Sequence, residues 1–301
     1  MTEPGRRGRR RRATVKPGDT HPMAGRTVVV TGGSSGIGQA TAERLARLGA
    51  TVVITGRDPL RTQGATRHIR AATGTSVQAF TADLSDQAQV RQLAAELLTA
   101  LPHIDVLVNN AGGYWNSRHV TADGLERTFA INHLAPFLLT ALLLDRIRQS
   151  QDGRVVNVSS NAQRLGRIDF DDLQGEHDYS GARAYNQSKL ATVLFTHELA
   201  RRLHQTTVTT NAVHPGVVRT SFGARDPGRA QRFLVPLARP LMLSPYAGAA
   251  TSVLLASSPD LASVTGRFFS GGRQKRSSRR SYDESVGERL WTISQRLTSP
   301  H

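Results

Sequence analysis

Hydrophobic and polar positions follow two alternating patterns along most of the chain. Short, β-branched apolar runs predict strands at Thr27–Thr31, Thr51–Thr55, Ser76–Thr81, Ile104–Asn109, Gly153–Ser159, Val208–His214 and Gly266–Ser270. Amphipathic stretches between them predict helices at Ile37–Leu48, Leu60–Ala72, Gln87–Leu101, Gly124–Ser150, Ala184–His204 and Tyr246–Ser257. The strands are apolar on both faces, so helices should cover both sides of the sheet. The pattern predicts α/β architecture: one doubly wound domain with a parallel sheet of about seven strands.

The domain is expected to span residues 24–298, after a basic, disordered extension at residues 1–23. The fold pattern starts at "MAGRTVVVTGG", so we hypothesise that Met23 is a translation start. Much of the net charge of +16 lies in "RRGRRRR", Arg6–Arg12, and "RQKRSSRR", Arg273–Arg280. Both runs are expected to be solvated and mobile. No aromatic residues interleave with the arginines, so no specific nucleic-acid partner is predicted, although nucleic acid or an anionic membrane surface stays an alternative.

Composition excludes several kinds of site. The chain has no cysteine, so disulfides, thiolate catalysis and Cys-ligated metal sites are impossible. The histidines lack HExxH spacing, and no metal is expected. No apolar run of about 18 residues is evident, and no secretory signal, so we expect no transmembrane anchor and a cytoplasmic location.

A glycine-rich turn follows the first predicted strand. It reads Thr31-Gly-Gly-Ser-Ser-Gly-Ile-Gly38 and leads into a helix. Glycines there let a pyrophosphate approach main-chain N–H groups at the positive end of the helix, and the last glycine lets helix and strand pack closely. A tight turn without a ligand has the same composition, but its place after the first strand of an alternating α/β chain favours a Rossmann-type dinucleotide site.

The TGxxxGxG spacing resembles the short-chain dehydrogenase/reductase family. The family's other motifs occur in order and in the expected structural places: Asp83-Leu84, "NNAG" at Asn109–Gly112, Asn132, Ser160, Tyr185-xxx-Lys189 and "HPG" at His214–Gly216. Segments such as "INHLAPFLLT", "FDDLQGE", "AYNQSKLATVLFTHELARRL" and "HPGVVRT" further resemble its retinol dehydrogenase-like branch, over about residues 25–297.

The resemblance implies an oxidoreductase that interconverts a hydroxyl and a carbonyl group by hydride transfer. Tyr185 is expected to be the acid/base, with its pKa lowered by Lys189 one helical turn away together with the positive charge of the oxidised nicotinamide. Ser160 would hydrogen-bond the substrate oxygen, with Ser159 as the alternative. Asn132 would position a water that links Lys189 to solvent. A non-catalytic NADP-sensing protein, or an epimerase or dehydratase on the same fold, is the alternative.

The cofactor choice depends on the end of the second strand. An acidic residue there would bind the adenosine ribose hydroxyls, but Gly56 takes that place by the family's spacing. Arg57 follows, and its guanidinium suits a 2′-phosphate. NADP is therefore predicted, with Asp58 as the remaining argument for NAD.

Further residues are carried over by resemblance as cofactor-binding: Gly32, Ser34, Ser35, Gly36, Ile37, Gly38, Arg57, Asp83, Leu84, Asn110, Ala111, Gly112, Tyr185, Lys189, Pro215, Gly216, Val218 and Thr220. The long segment 221–245 is predicted to form a lid over an apolar small-molecule substrate, although packing on the core is equally open. Homo-oligomers occur in the family and one is an open expectation here.

Overall fold

The sheet is the centre of the fold and organises everything else. A computed structural model describes residues 21–219 and 242–299. In those residues the strands are β1 Thr27–Val30, β2 Thr51–Gly56, β3 Val77–Thr81, β4 Val106–Asn109, β5 Arg154–Val158, β6 Thr209–His214, β7 Arg267–Ser270 and β8 Arg273–Lys275. Their order is β3-β2-β1-β4-β5-β6-β7-β8. The seven predicted strands are all present and parallel, which confirms the doubly wound fold.

The eighth strand corrects the sequence prediction. β8 pairs antiparallel with β7, with Ser270 opposite Arg273. Gly271 and Gly272 between them have φ values of 60° and 72°. Positive φ at both central residues is what a two-residue hairpin turn needs, and glycine adopts it without strain. The run from Arg273 was expected to be mobile; that expectation was wrong, because the glycine pair turns the chain back onto the sheet edge.

The helices lie on both faces of the sheet. They are α1 Gly36–Arg47, α2 Pro59–Thr73, α3 Gln87–Ala100, α4 Arg127–Phe129, α5 Ala135–Arg148, α6 Gly181–Arg202, α7 Pro245–Ser257 and α8 Glu284–Leu297. A π-helical segment, Ala130–Leu134, joins α4 to α5, and short 3₁₀ helices lie at Asn161–Arg164, Pro259–Leu261 and Arg279–Tyr282. The predicted helix over Gly124–Ser150 therefore begins at Arg127, after the capping side chain of Glu126.

Alternation along β1 shows how the core divides. Val29 packs in the cluster that contains Leu97 of α3 and Leu143 of α5. Val28 and Val30 point to the opposite face and join the cluster of α1, α2 and α7. All three valines are fully buried, so both faces of the strand are covered as the sequence predicts.

Helix α8 is an element that the sequence analysis did not predict. Its apolar stripe is narrow, but Leu290 is fully buried against the Leu190 and Leu194 side chains of α6. Ser294 on the same helix contacts the His133 imidazole at 2.8 Å. Burial lowers the pKa of His133 to about 3, so this contact involves a neutral ring. Helix α8 thus holds α6 and the π-helical segment together from outside.

One long apolar helix needs separate mention. Among the described residues, Arg127–Arg148 is long and apolar enough to span a membrane, with a mean hydropathy of 1.4 over its best window. Asn132 and His133 interrupt the apolar residues of this helix, so the sequence pattern alone did not indicate a possible span here. That window is 78% buried inside the protein, as in any core helix, so it is weak support for a span. The cytoplasmic location stays a prediction.

The crossover topology creates one crevice. The chain runs from β1 outward to β3, then returns to β4 on the other side of β1. In such sheets ligands bind outside the carboxyl ends of the strands, where the order reverses. The β1–β4 gap is that point. The predicted lid lies outside the described residues except for 242–245, as do residues 1–20.

The packing of α8 can be tested by truncation. We expect Leu290→Ala to lower the free energy of unfolding by about 2–5 kcal/mol, because it leaves a cavity between α8 and α6. The control is Gln295→Ala on the exposed face of the same helix, with an expected change within about 0.5 kcal/mol. Urea denaturation measures both; equal, small effects would show that α8 does not contribute to the core.

Candidate active site

A crevice of about 400 Å³ opens at the β1–β4 switch point. Most of the residues predicted to bind the cofactor line it: Gly32, Ser34, Ser35, Gly36, Ile37, Gly38, Arg57, Asp83, Leu84, Asn110, Ala111, Gly112 and Lys189. They come from five separate stretches of the chain. The fold therefore brings these predicted residues into one crevice, whereas Tyr185 and Ser160 are not part of its lining.

The glycine turn is too crowded for side chains. A Cβ on Gly38 would lie 2.3 Å from the Gly32 oxygen and 2.4 Å from Nδ2 of Asn110. Gly32 itself has φ of +65°, a conformation that favours glycine. A ligand can therefore approach the main chain closely at this turn, which fits a dinucleotide.

The start of α1 is left open for an anion. Its N-cap Ser35 makes no side-chain capping hydrogen bond to any described residue, and the first turn contains no acidic residue. By contrast, Asp58 caps α2 and Asp86 caps α3 through their carboxylates. Unpaired N–H groups at the positive end of a helix bind phosphate. The residues present thus fit the pyrophosphate of a nicotinamide dinucleotide.

At the far end of β2, Gly56 leaves no room for a carboxylate. A Cβ there would lie 2.3 Å from Oγ1 of Thr62 and 2.9 Å from the Ser34 side chain. Oδ1 of Asp58 accepts a hydrogen bond from the Arg61 main-chain N–H at 3.1 Å, and Asp58 also lines the crevice. Gly56 therefore offers no acidic group to ribose hydroxyls, and Asp58 stays the remaining argument for NAD.

Two guanidiniums line the same end of the crevice. They belong to Arg57 and to Arg61, which the sequence analysis did not select. Nη1 of Arg57 lies 3.5 Å from Oδ2 of Asp83. Burial opposes ionisation of Asp83, but hydrogen bonds from Ser85 and the charge of Arg57 lower its pKa overall. The carboxylate thus holds Arg57 at the crevice wall.

The structure distinguishes the two candidate serines. Ser159 is buried, and its hydroxyl donates to the Lys189 main-chain oxygen at 2.8 Å. Ser160 is only partly buried, and its side chain is hydrogen-bonded to Tyr185. Its Oγ also accepts from the Ala162 N–H at 3.2 Å. Ser160 is therefore the serine whose hydroxyl faces the phenol.

Burial dominates the Tyr185–Lys189 pair. Nζ of Lys189 lies 5.6 Å from the Tyr185 ring centroid and donates to the Val158 oxygen at 3.1 Å. Burial raises the pKa of Tyr185, although the Ser160 hydrogen bond lowers it, and burial lowers the pKa of Lys189 to about 8. The expected depression of the Tyr185 pKa is thus absent in the protein alone, because desolvation outweighs a single amine at this distance.

Asn132 lies in the π-helical segment. Its Nδ2 donates to the Gly113 oxygen at 2.9 Å and to the Ser188 hydroxyl at 3.0 Å, and its Oδ1 accepts from the Gly113 N–H at 2.8 Å. These bonds fix the loop that follows β4 against α6. The side chain is therefore a structural tie at the site, and the relay role assigned by resemblance stays a prediction.

Aromatic residues after "NNAG" were missed by the sequence analysis. Tyr114 and Trp115 line the crevice together with Ile131. The Tyr114 ring meets that of Tyr185 edge-on, with centroids 5.5 Å apart. Arg127 stacks over Trp115 at 4.8 Å. The signal for these residues in the sequence was the pair of aromatics that follows the strand end at "NNAG".

The "HPG" segment lies beside the glycine turn rather than in the crevice lining. Gly216 has φ of +91°. Val218 pairs with Leu243, and a Cβ on Gly248 of α7 would touch both Val218 and Ile37. Pro215 precedes this contact, and Thr220 lies outside the described residues. The cofactor roles expected for Pro215, Gly216, Val218 and Thr220 stay predictions.

Comparison with known proteins identifies the family. The short chain dehydrogenase model matches residues 26–228, and the chain belongs to the short-chain dehydrogenase/reductase family. Retinol dehydrogenase 14 of Mus musculus is 42% identical over 298 residues, covering 92% of this chain and 87% of the relative. That similarity places the chain in the retinol dehydrogenase-like branch.

Solved structures agree with this fold. An uncharacterised protein from Mycobacterium paratuberculosis superposes with a TM-score of 0.75 at 35% identity, covering 93% of this chain and 96% of the other. A blue fluorescent protein from a metagenomic library, in complex with NADPH, has a TM-score of 0.67 at 33% identity, with 84% and 99% coverage. The chain is thus an oxidoreductase of a family that uses a nicotinamide cofactor.

The buried amine predicts a pH-dependent stability. Lys189 has a folded-state pKa of about 8 against an ordinary 10.5, which corresponds to about 3 kcal/mol of cost while the amine is charged. Below pH 8 both states hold the proton and the cost is complete. Between 8 and 10.5 the unfolded chain binds more protons, so stability rises with pH. We expect Lys189→Met to unfold at higher temperature than wild type at pH 7, with the difference shrinking above pH 8.

Calorimetry of the cofactor-free protein from pH 6 to about 10 measures this. Lys275→Met is the control, because Lys275 is exposed and its loss should give no pH-dependent difference. A Lys189→Met difference that stays constant with pH would contradict a charged, buried amine.

Proposed function

We propose that the protein is an NADP(H)-dependent oxidoreductase that interconverts a hydroxyl and a carbonyl group on an apolar small molecule. The observation that carries this proposal is one continuous crevice that contains the uncapped start of α1. The guanidiniums of Arg57 and Arg61 line one end, which we call the adenosine end, and the Lys189 amine lines the other. The Tyr185 ring lies over that amine, 5.6 Å from Nζ to the ring centroid, and the Tyr185 side chain is hydrogen-bonded to that of Ser160.

The NADP preference rests on Gly56 and its neighbours. A carboxylate that would select NAD meets Thr62 at this position. A 2′-phosphate would instead find Arg57 and Arg61, whose planar guanidiniums match phosphate oxygens in charge and geometry. The NADPH complex of the metagenomic relative agrees with this choice.

The cofactor, when bound, supplies or accepts the hydride. In carbonyl reduction the Tyr185 phenol gives its proton to the substrate oxygen, and the Ser160 hydroxyl donates a hydrogen bond to that oxygen. Charge develops on the phenol oxygen as the proton leaves, and the nearby Lys189 ammonium stabilises it. In alcohol oxidation the proton moves in the opposite direction.

The apolar substrate is inferred from the crevice wall. Tyr114, Trp115 and Ile131 present aromatic and aliphatic surface close to Tyr185. Pockets of this kind bind apolar ligands and orient them with few polar groups. The similarity to retinol dehydrogenase 14 is consistent with such a substrate.

Removal of the phenol hydroxyl tests the chemistry. Tyr185→Phe should reduce turnover of aldehydes and alcohols by at least about 100-fold, since proton transfer by a positioned side chain contributes on that order. NADPH binding, measured by fluorescence titration, should change little. In wild type, oxidation should accelerate as the pH rises above neutral, because the phenol must first lose its proton. Unchanged turnover in Tyr185→Phe would reject the assignment; wild-type inactivity with NADPH binding would indicate a sensing protein.

Cofactor choice is tested at the wall of the adenosine end. Arg57→Asp should weaken NADPH binding about 10- to 100-fold, the value of a lost charge-assisted hydrogen bond, while NADH binding changes little. Arg67→Asp on the outer face of α2 removes the same charge without touching the crevice and is the control. Equal losses for both cofactors in Arg57→Asp would contradict phosphate recognition.

A further inference from the structure

The second arginine-rich run forms a fixed surface rather than a tail. We call the following residues the basic patch: Arg164, Leu165, Arg167, Arg273, Lys275, Arg276, Arg279 and Arg280. All eight side chains are exposed. The segments touch each other, since Arg164 donates to the Arg276 oxygen at 2.7 Å and Arg280 donates to the Gly166 oxygen at 3.2 Å.

Buried serines hold the backbone of this patch. Ser277 and Ser281 share a hydrogen bond at 2.7 Å, and the Ser278 N–H donates to Oε1 of the fully buried Gln163 at 2.9 Å. The Ser281 oxygen is also within 2.7 Å of Nδ1 of His197 on α6. The serines therefore face inward and fix the cations in an outward-facing arrangement.

The cations of the patch lack acidic partners. None of them forms an ion pair with a carboxylate in residues 21–219 or 242–299, whereas Arg201 and Arg202 on neighbouring α6 both pair with Glu198. The sequence contains no Asp or Glu between Asp260 and Asp283. The patch consequently presents positive charge that no ion pair within the described residues neutralises.

An apolar side chain projects from the middle of this charge. Leu165 is 77% exposed, although its neighbour Gln163 is fully buried. The short helix that precedes Leu165 begins at the capping hydroxyl of Ser160. A Cβ on Gly166 would lie 2.4 Å from the Asn186 oxygen, next to Tyr185. The patch therefore lies directly beside the catalytic end of the crevice.

We propose that the basic patch is a docking surface for an anionic lipid bilayer. Arginines and a lysine attract anionic headgroups, and a protruding leucine enters the boundary between headgroups and acyl chains. A nucleic acid would match the charge, but the exposed aromatic of this segment, Tyr282, is stacked on His197, with ring centroids 4.9 Å apart, and a nucleic acid would have no use for the leucine. A second copy of the same patch would be repelled.

The test compares vesicle binding of the full chain with that of two charge variants. The patch variant combines Arg273→Gln, Lys275→Gln and Arg279→Gln, whose side chains make no hydrogen bond to a described residue. Co-sedimentation uses vesicles of phosphatidylcholine alone and of phosphatidylcholine with phosphatidylglycerol. We expect wild type to bind only the anionic vesicles, and the patch variant to bind them about 100-fold more weakly, since it lacks three cations and each is worth about fivefold.

The matched control combines Arg67→Gln, Arg148→Gln and Arg296→Gln, three exposed arginines elsewhere on the surface. It has the same net charge and the same N-terminal arginines as the patch variant, and it should bind close to wild type. Leu165→Ser should weaken binding several-fold while leaving its salt dependence unchanged, because the leucine contributes apolar burial.

Three outcomes would overturn the proposal. They are a wild type that ignores anionic vesicles, equal losses in the patch and control variants, and loss of duplex DNA retention in the patch variant with vesicle binding intact. The last would assign the surface to nucleic acid. No substrate or cofactor is present in this assay, so its result is independent of the proposed reaction.

Discussion

The whole site depends on the close contact between the first turn of α1 and the ends of β1 and β4. Oγ1 of Thr31 accepts hydrogen bonds from the main-chain N–H groups of Asn110 and Ala111, both at 3.0 Å, and Nδ2 of Asn110 returns a bond to the Thr31 oxygen at 2.9 Å. Gly38 then packs against that amide without space for a methyl group. These contacts lock the two halves of the sheet at its switch point. The open helix start and the loop that carries Tyr114 are consequently both held in the lining of one crevice.

A second constraint is electrostatic. Lys189 is buried and Tyr185 nearly so, and burial moves the pKa values of both groups towards their neutral forms. With a pKa of about 8, the Lys189 amine still holds its proton at neutral pH, at a cost in stability. In the proposed reaction, the charge that develops on the phenol oxygen during proton transfer offsets that cost, and the Ser160 hydroxyl shares the charge. The stability cost of the amine is consistent with a site organised for the reacting state rather than for the resting protein.

Prediction from the sequence succeeded for features that a local residue pattern determines. Seven strands and the glycine turn followed from apolar runs and from glycines at strand ends, and the other crevice residues followed from the resemblance to the family's motifs. It failed where a role depends on a distant neighbour. The crowding that excludes a side chain at Gly56 comes from Thr62 across a turn, and the narrow stripe of α8 acquires meaning only against Leu194. The resemblance already favoured Ser160 over Ser159, and the structure adds that the Ser159 hydroxyl donates to the Lys189 main-chain oxygen on α6. Arg61 belongs to the crevice through tertiary position alone, whereas Trp115 had a signal in the sequence, the aromatic pair that follows β4.

The net charge of the chain also does not predict where on the surface the positive charge lies. At the crevice, the Arg57 guanidinium is steadied by Asp83, and on α6 two arginines share Glu198. Along the run from Arg273, by contrast, buried serines replace carboxylates as the groups that order the chain. Neutral hydroxyls fix the backbone through hydrogen bonds but leave the guanidinium charge unscreened. Fixing like charges close together without neutralising them costs free energy, because charges on a mobile segment would repel each other less. A surface that only needs to stay solvated has no use for that arrangement. The arrangement is therefore better explained by an anionic surface that the protein meets than by solubility.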